Sequence, residues 1–158
     1  MDIRKIKRSD VSDIFSLIRA KAEFDGCPES LDLKENEIES IFFSDAPKAK
    51  AIVACIDGKI VGIATYYDIF STFIAKSGLW LDDLFIYEEY RKYGVGKAII
   101  EKLCTIAKGT GCARIDWIVA NDNDNGKGFY NSLGATIFEG IRHSRLDENA
   151  INRLAGNV

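Results

Sequence analysis

The stretch Leu84-Phe85-Ile86-Tyr87-Glu88-Glu89-Tyr90-Arg91-Lys92-Tyr93-Gly94-Val95-Gly96-Lys97 takes a strand into a glycine-bearing turn and then directly into a long helix. The first turn of a helix exposes unpaired N–H groups and the positive end of its dipole, and the two together attract phosphate. Gly94 and Gly96 remove side chains that would hold a pyrophosphate away from those amides. Arg91 offers the same anion a charge-assisted contact. A P-loop is excluded, because Ala98 follows Gly96-Lys97 and Arg91 stands where its first glycine belongs. A dinucleotide fingerprint is excluded too, because Ile99 occupies the place of its small third residue. A bare Gly-x-Gly also serves simply to shape a tight turn, so the surroundings must decide.

The elements around this turn read as one α+β domain spanning residues 1–158. A strand is expected at Asp2–Lys7, then a helix capped by Ser9-Asp10 and running to about Glu23, with Val11, Ile14, Phe15, Leu17 and Ile18 on its apolar face. An acid-rich helix is expected from about Leu33 to Phe43. Asp57-Gly58 between two apolar runs, 51–56 and 60–67, marks a hairpin with a two-residue turn. A strand at Leu79–Tyr87, a helix at Val95–Lys108 and a strand at Ala113–Ala120 follow. A helix at Asn123–Leu133 closes on Gly134, two strands are expected at Thr136–Ile141 and Arg142–Leu146, and a short helix at Asp147–Leu154. The order is β-α-α-β-β-β-α-β-α-β-β, a mixed sheet rather than a doubly wound one.

Composition narrows the function. With 21 basic and 24 acidic residues the net charge is −3, so the basic footprint of a nucleic-acid binder is absent. No apolar run is long enough to span a bilayer, and the charged N-terminus lacks the core of a signal peptide. Cys27, Cys55, Cys104 and Cys112 form no CxxC pair and His143 is the sole histidine, which fits neither a zinc site nor a disulfide framework and suits a reduced, cytoplasmic protein.

Arg91-Lys92-Tyr93-Gly94-Val95-Gly96 resembles the Gln/Arg-x-x-Gly-x-Gly/Ala signature of the GCN5-related N-acetyltransferase (GNAT) superfamily, which binds the pyrophosphate of acetyl-CoA. Asn123-Asp124-Asn125-Gly126-Lys127-Gly128-Phe129-Tyr130-Asn131-Ser132-Leu133-Gly134-Ala135 resembles that family's second segment, and the element order matches along nearly the whole chain. Leu81-Asp82-Asp83-Leu84-Phe85-Ile86, Val119-Ala120 ahead of Asn123, and Tyr66-Tyr67 are similar to the diamine (spermidine/spermine) and thialysine acetyltransferase branch, which usually carries Glu where Asp82 stands.

The resemblance implies a GNAT fold and acetyl-CoA as co-substrate, with no metal. Its pantetheine would pair with the backbone of Leu84, Phe85 and Ile86, and its pyrophosphate would lie over Arg91, Lys92, Tyr93, Gly94, Val95, Gly96 and Lys97. Asn123, Asn125 and Gly126 are implied as further cofactor contacts. Tyr130 is the implied acid for the departing thiolate, with a core tyrosine as the plainer alternative. Asp82 either accepts the amine's proton or binds its ammonium, and Asp83, alternating with it across the strand, is expected to be solvated. Phe24 and Asp25 map onto the amine-contacting pair and Glu139 onto a late acid. Cys104 is expected to be buried or to face the sheet, so direct transfer in a ternary complex is preferred to an acyl-cysteine.

Between Glu23 and Asp45 eight acids face one base, Lys34. Such a rim would concentrate a cationic amine, although a solvated helix face reads the same way. The leading expectation is an N-acetyltransferase of a polyamine, diamine or lysine-like amine. A peptide N-terminus or protein lysine is the second acceptor class, and a catalytically idle acyl-CoA-binding module is the third reading. The resemblance further implies a homodimer, with the Arg142–Leu146 strand as a shared edge.

Overall fold

Asp57 and Gly58 both adopt positive φ (49° and 79°), the twisted two-residue turn that an Asp-Gly pair forms cheaply, and the strands on either side pair as expected. The computed structural model describes residues 1–156; Asn157 and Val158, the last residues of the expected domain, lie outside the described residues. The chain forms two compact units, Met1–Ile118 and Val119–Val158.

The first unit holds a five-stranded mixed sheet in sequence order: β1 (Asp2–Lys5), β2 (Lys50–Ile56), β3 (Lys59–Ser71), β4 (Lys76–Ile86) and β5 (Ile115–Asp116). The first three pairings are antiparallel and β4–β5 is parallel. Helices α1 (Val11–Phe24) and α2 (Ile38–Phe42) cover one face, where Ile14, Leu17 and Ile38 pack on Ala51, Val53, Ile63 and Phe85. Helix α3 (Val95–Gly109) covers the other, its Val95, Ile99, Leu103 and Ala107 packing on Ile52, Ala54, Val61, Ala64, Leu79 and Leu81. Gly62 is required by this layering, since a Cβ there would come within 3.0 Å of the Phe85 carbonyl and of Ile86 Cγ1. The mixed α+β expectation holds.

Several elements differ from their expected extents. Asp10 does not cap α1 through its side chain; instead its carboxylate takes two bonds from Arg4, at 2.6 and 3.1 Å, and the Lys7 N–H at 2.7 Å. The acid-rich helix is a 3-10 turn, Glu35–Glu37, leading into the five residues of α2. The strand expected at 113–120 shrinks to Ile115–Asp116, which pair only with Leu79 and Trp80. Its β-formers cannot extend a ladder without a neighbour to bond. Cys104 is exposed on α3, not buried against the sheet.

The second unit contains α4 (Asp124–Ser132) and α5 (Glu148–Ala155). Asn123 caps α4 by accepting the Gly126 N–H at 2.8 Å, and Gly134 takes the left-handed φ of 83° just beyond its end. Asp147 caps α5 by accepting the Ala150 N–H at 2.8 Å. The two strands expected at 136–146 are not formed, so no strand edge stands at Arg142–Leu146. Alternating β-formers there find no ladder partner, Gly140 interrupts them, and Phe138, Ile141 and Leu146 remain exposed.

Candidate active site

Strand β4 departs from regular alternation at one residue. Thr65 pairs with Asp83 and Tyr66 with Leu81, so Asp82 opposes nothing on β3 and forms a single-residue bulge. Before the bulge Leu79 and Leu81 pack toward α3; after it, Leu84 and Ile86 do, while Phe85 and Tyr87 turn toward α1. The expectation that Asp82 and Asp83 alternate across the strand is therefore corrected. The extra residue resets the alternation, and both carboxylates stand on the α1 side.

Their surroundings differ. Asp83 is half-buried and partnered rather than simply solvated: its Oδ2 accepts the Thr65 hydroxyl at 3.0 Å, its own N–H donates to Thr65 Oγ1 at 3.1 Å, and Lys21 Nζ lies 3.6 Å from its Oδ1. Lys21 also pairs with Asp25, one turn further along α1. Asp82 accepts the Trp80 indole N–H at 3.3 Å, and Trp80 stacks on Tyr67 with ring centroids 6.4 Å apart. One side of Asp82 is open to water. The packed sheet on its other side pushes its carboxyl above the usual carboxylate range, and the Asp83 charge adds to the shift against the Trp80 bond and Lys21. Burial, then the Asp82 charge, raises the Tyr67 phenol.

Beside these carboxylates runs an unladdered backbone edge. Tyr87 N–H bonds to the Val61 carbonyl and Leu79 N–H to the Arg114 carbonyl. Antiparallel alternation between those points turns the amides of Leu84 and Ile86 outward, away from β3. β5 stops at Trp80, so within the first unit no strand meets them. The Ile86 carbonyl accepts Arg91 Nε at 2.8 Å.

The glycine-bearing turn then enters α3. Lys92 and Gly94 both have positive φ, 66° and 80°, and Gly94 precedes the first helical residue with no side-chain cap over the exposed amides. Val95 is buried and anchors the helix, Gly96 is half-buried, and Lys92, Tyr93 and Lys97 are exposed, Lys97 lying 3.8 Å from Glu101. The Arg91 guanidinium lies 4.5 Å from the Phe24 ring centroid and 5.5 Å from that of Phe85, and Phe24 and Phe85 are 6.1 Å apart. The structure thus brings Phe24, Asp25, Asp82, Asp83, Phe85 and Arg91 together on one unit.

In the second unit Asn123 and Gly126 are engaged with each other in the α4 cap. Asn125 and Glu139 are exposed. Tyr130 is half-buried, its ring 5.1 Å from that of Phe129, and burial pushes its phenol upward.

Sequence reasoning missed Lys21, Thr65 and Trp80. The i,i+4 spacing of Lys21 and Asp25 was a usable signal; Thr65 and Trp80 reach the carboxylates through strand pairing and the bulge, which composition does not reveal. The acidic segment is also less open than its composition suggests. Glu23 faces Arg19, Asp25 Lys21, Glu35 the Ser12 hydroxyl, Glu37 the Lys34 N–H and Glu39 Arg8. Among the described residues no three His, Cys, Asp or Glu side chains are grouped to hold a metal, and no helix is long and apolar enough to cross a membrane.

The acetyltransferase (GNAT) family model matches residues 12–135. The thialysine N-epsilon-acetyltransferase of Mus musculus is 30% identical over 165 residues, covering 98% of this chain and 96% of that protein. An L-ornithine N5-acetyltransferase of Arabidopsis thaliana is 32% identical over 98 residues, covering 62% of this chain and 43% of that protein. Among solved structures, an integron cassette protein from the mobile metagenome of V. cholerae superposes with a TM-score of 0.79 at 25% identity, covering 99% of this chain and 98% of that one. This chain belongs to the GNAT acetyltransferase family, whose members use acetyl-CoA. It is an N-acetyltransferase with thialysine- and polyamine-type relatives.

Proposed function

We propose that the chain acetylates a primary amine of a small cationic acceptor (a polyamine, diamine or lysine-like amine), by direct transfer from acetyl-CoA in a ternary complex. The observation that carries this reading is the Asp82 bulge, which sets two carboxylates on one sheet face beside the outward amides of Leu84 and Ile86. The names of the thialysine and ornithine acetyltransferase relatives support the acceptor class.

The residues present fit the co-substrate. The outward edge of Leu84 and Ile86 suits an amide-bearing arm, and the uncapped start of α3 behind Gly94 suits a pyrophosphate. Bound there, acetyl-CoA supplies the activated acyl group and a thiolate leaving group. An ammonium has no lone pair, so the amine must lose a proton before it attacks. Asp82, with its raised carboxyl, takes that proton directly or through water, or holds the ammonium beforehand. The Tyr130 O–H gives its proton to the departing sulfur. Asn123, Asn125 and Gly126 are proposed as cofactor contacts and Glu139 as an acceptor contact.

The same reading takes 1–158 as one catalytic domain, which the family match supports by running from the first unit into the second as far as residue 135, and it expects a cytoplasmic protein and a homodimer, the latter checked by sedimentation. The central test is release of free CoA thiol with spermidine, short diamines, lysine and a neutral-tailed peptide amine. Turnover of the cationic amines, with KM rising as salt screens the site, is expected. Turnover of the peptide alone, insensitive to salt, overturns the acceptor assignment.

A further inference from the structure

Lys21 joins two separate acidic features of the first unit. It pairs with Asp25 on its own helix, and its Nζ lies 3.6 Å from Asp83 Oδ1 on β4. Only 21% of its side chain is exposed, so the ammonium is held in place. Asp83 cannot swing away with a departing cation, because Thr65 grips it through both its carboxylate and its N–H. Asp82 feels the same lysine charge from the neighbouring bulge position. Three carboxylates therefore share one ammonium from the chain itself.

We infer that Lys21 is a specificity-determining residue whose ammonium occupies the position that a second, non-reacting ammonium of the acceptor takes on binding. An incoming cation must displace Lys21 Nζ from Asp83 before it gains that carboxylate. The lysine thus weakens cation binding by acting as an internal competitor, and it offsets part of the carboxylates' negative charge between turnovers. This role of Lys21 rests on the amine acceptor proposed above. It predicts an effect opposite to that of an ordinary structural ion pair, whose loss weakens the site.

The test uses Lys21→Met, which keeps an unbranched apolar stem, and Lys21→Gln, which keeps a polar end. Spermidine and a short diamine are compared with a neutral-tailed amine, by CoA thiol release for KM and by calorimetry for binding of spermidine to the full chain. KM and Kd for the two polycations should fall about three- to tenfold, the scale of one partly covered ion pair. The KM of the neutral-tailed amine should stay unchanged, and spermidine should raise Tm more in the variants than in the unaltered chain. An unchanged or raised KM for spermidine in folded variants overturns the inference while leaving the acetyltransferase reading intact. Failure of both variants to fold also overturns it, because Lys21 would then be structural. If the unaltered chain acetylates no amine, the acceptor reading itself fails and this inference goes with it.

Discussion

The central carbon of the Arg91 guanidinium lies over the Phe24 ring, 4.5 Å from its centroid, while its Nε donates to the Ile86 carbonyl at 2.8 Å. One side chain thereby ties the glycine-bearing turn to the end of α1, beside Asp25. Arg91 is expected to meet phosphate; the structure adds an Nε bond and a cation–π contact at this junction. Arg91→Lys keeps the charge but loses the Nε bond and the guanidinium's contact with Phe24, each worth about 1 kcal/mol. Tm should fall, and acceptor KM should rise more than the Kd for CoA. Equal losses in both would return Arg91 to a purely cofactor-binding role.

Asp82→Asn has a signed pH signature. The folded protein raises this carboxyl, so ionised Asp82 opposes folding at neutral pH, and that opposition disappears as pH falls through the raised value and the group protonates. The variant should melt higher than the unaltered chain near pH 7, with the difference closing in acid. Activity should move the other way: turnover of cationic amines should fall, and the pH optimum should shift upward if Asp82 takes the amine's proton. Thermal melts and rate profiles over the same buffers check both.

Asp10 behaves in the opposite sense. Arg4 is the chief cause that holds its carboxyl below the usual range, so its stabilising contribution is present above that range and is lost as pH falls through the lowered value. Asp10→Asn leaves Arg4 and the Lys7 N–H with a weaker partner and should lower stability by about 1–3 kcal/mol at pH 7. Denaturant melts at pH 7 and in acid should show the deficit shrinking.

At the turn, Gly94 and Gly96 should fail differently. Gly94 has nothing near the position of a Cβ but sits at φ 80°, so Gly94→Val is disfavoured by the backbone conformation and should lower Tm. Gly96 lies in the helical first turn, where Gly96→Val should leave the fold in place and reduce CoA affinity measured by calorimetry. Unchanged affinity in folded Gly96→Val would remove the pyrophosphate from these amides.

Tyr130→Phe retains the ring against Phe129 and removes the proton. Turnover should drop by about 10²–10⁴ with little change in CoA affinity, provided chemistry limits the rate. A loss of only a few-fold would assign thiolate protonation to water or to another group.

The hairpin at Asp57-Gly58, α3 and the end of α4 were legible because each is set by local chemistry: positive φ at a two-residue turn, a stripe of Val95, Ile99 and Leu103, and a left-handed Gly134. The motif residues around Gly94 were legible for the same reason. What stayed hidden depends on partners distant in sequence. The strands expected at 136–146 had the right residue types and no ladder to join. Asp83 looked like a surface carboxylate because Thr65 and Lys21, its partners, arrive from β3 and α1. A binary pattern also cannot show that a strand contains one residue too many.

That extra residue separates two jobs within a single strand. Strike Asp82 out, and Leu79, Trp80, Leu81, Asp83, Leu84, Phe85, Ile86 read as unbroken alternation, with each apolar side chain already on the face it occupies now. The hydrophobic layers therefore ask nothing of Asp82. A chain shortened by that one aspartate should keep both cores and the Thr65–Asp83 grip while losing the second carboxylate and the kink in the donor edge. Architecture and chemistry are here separable by one codon.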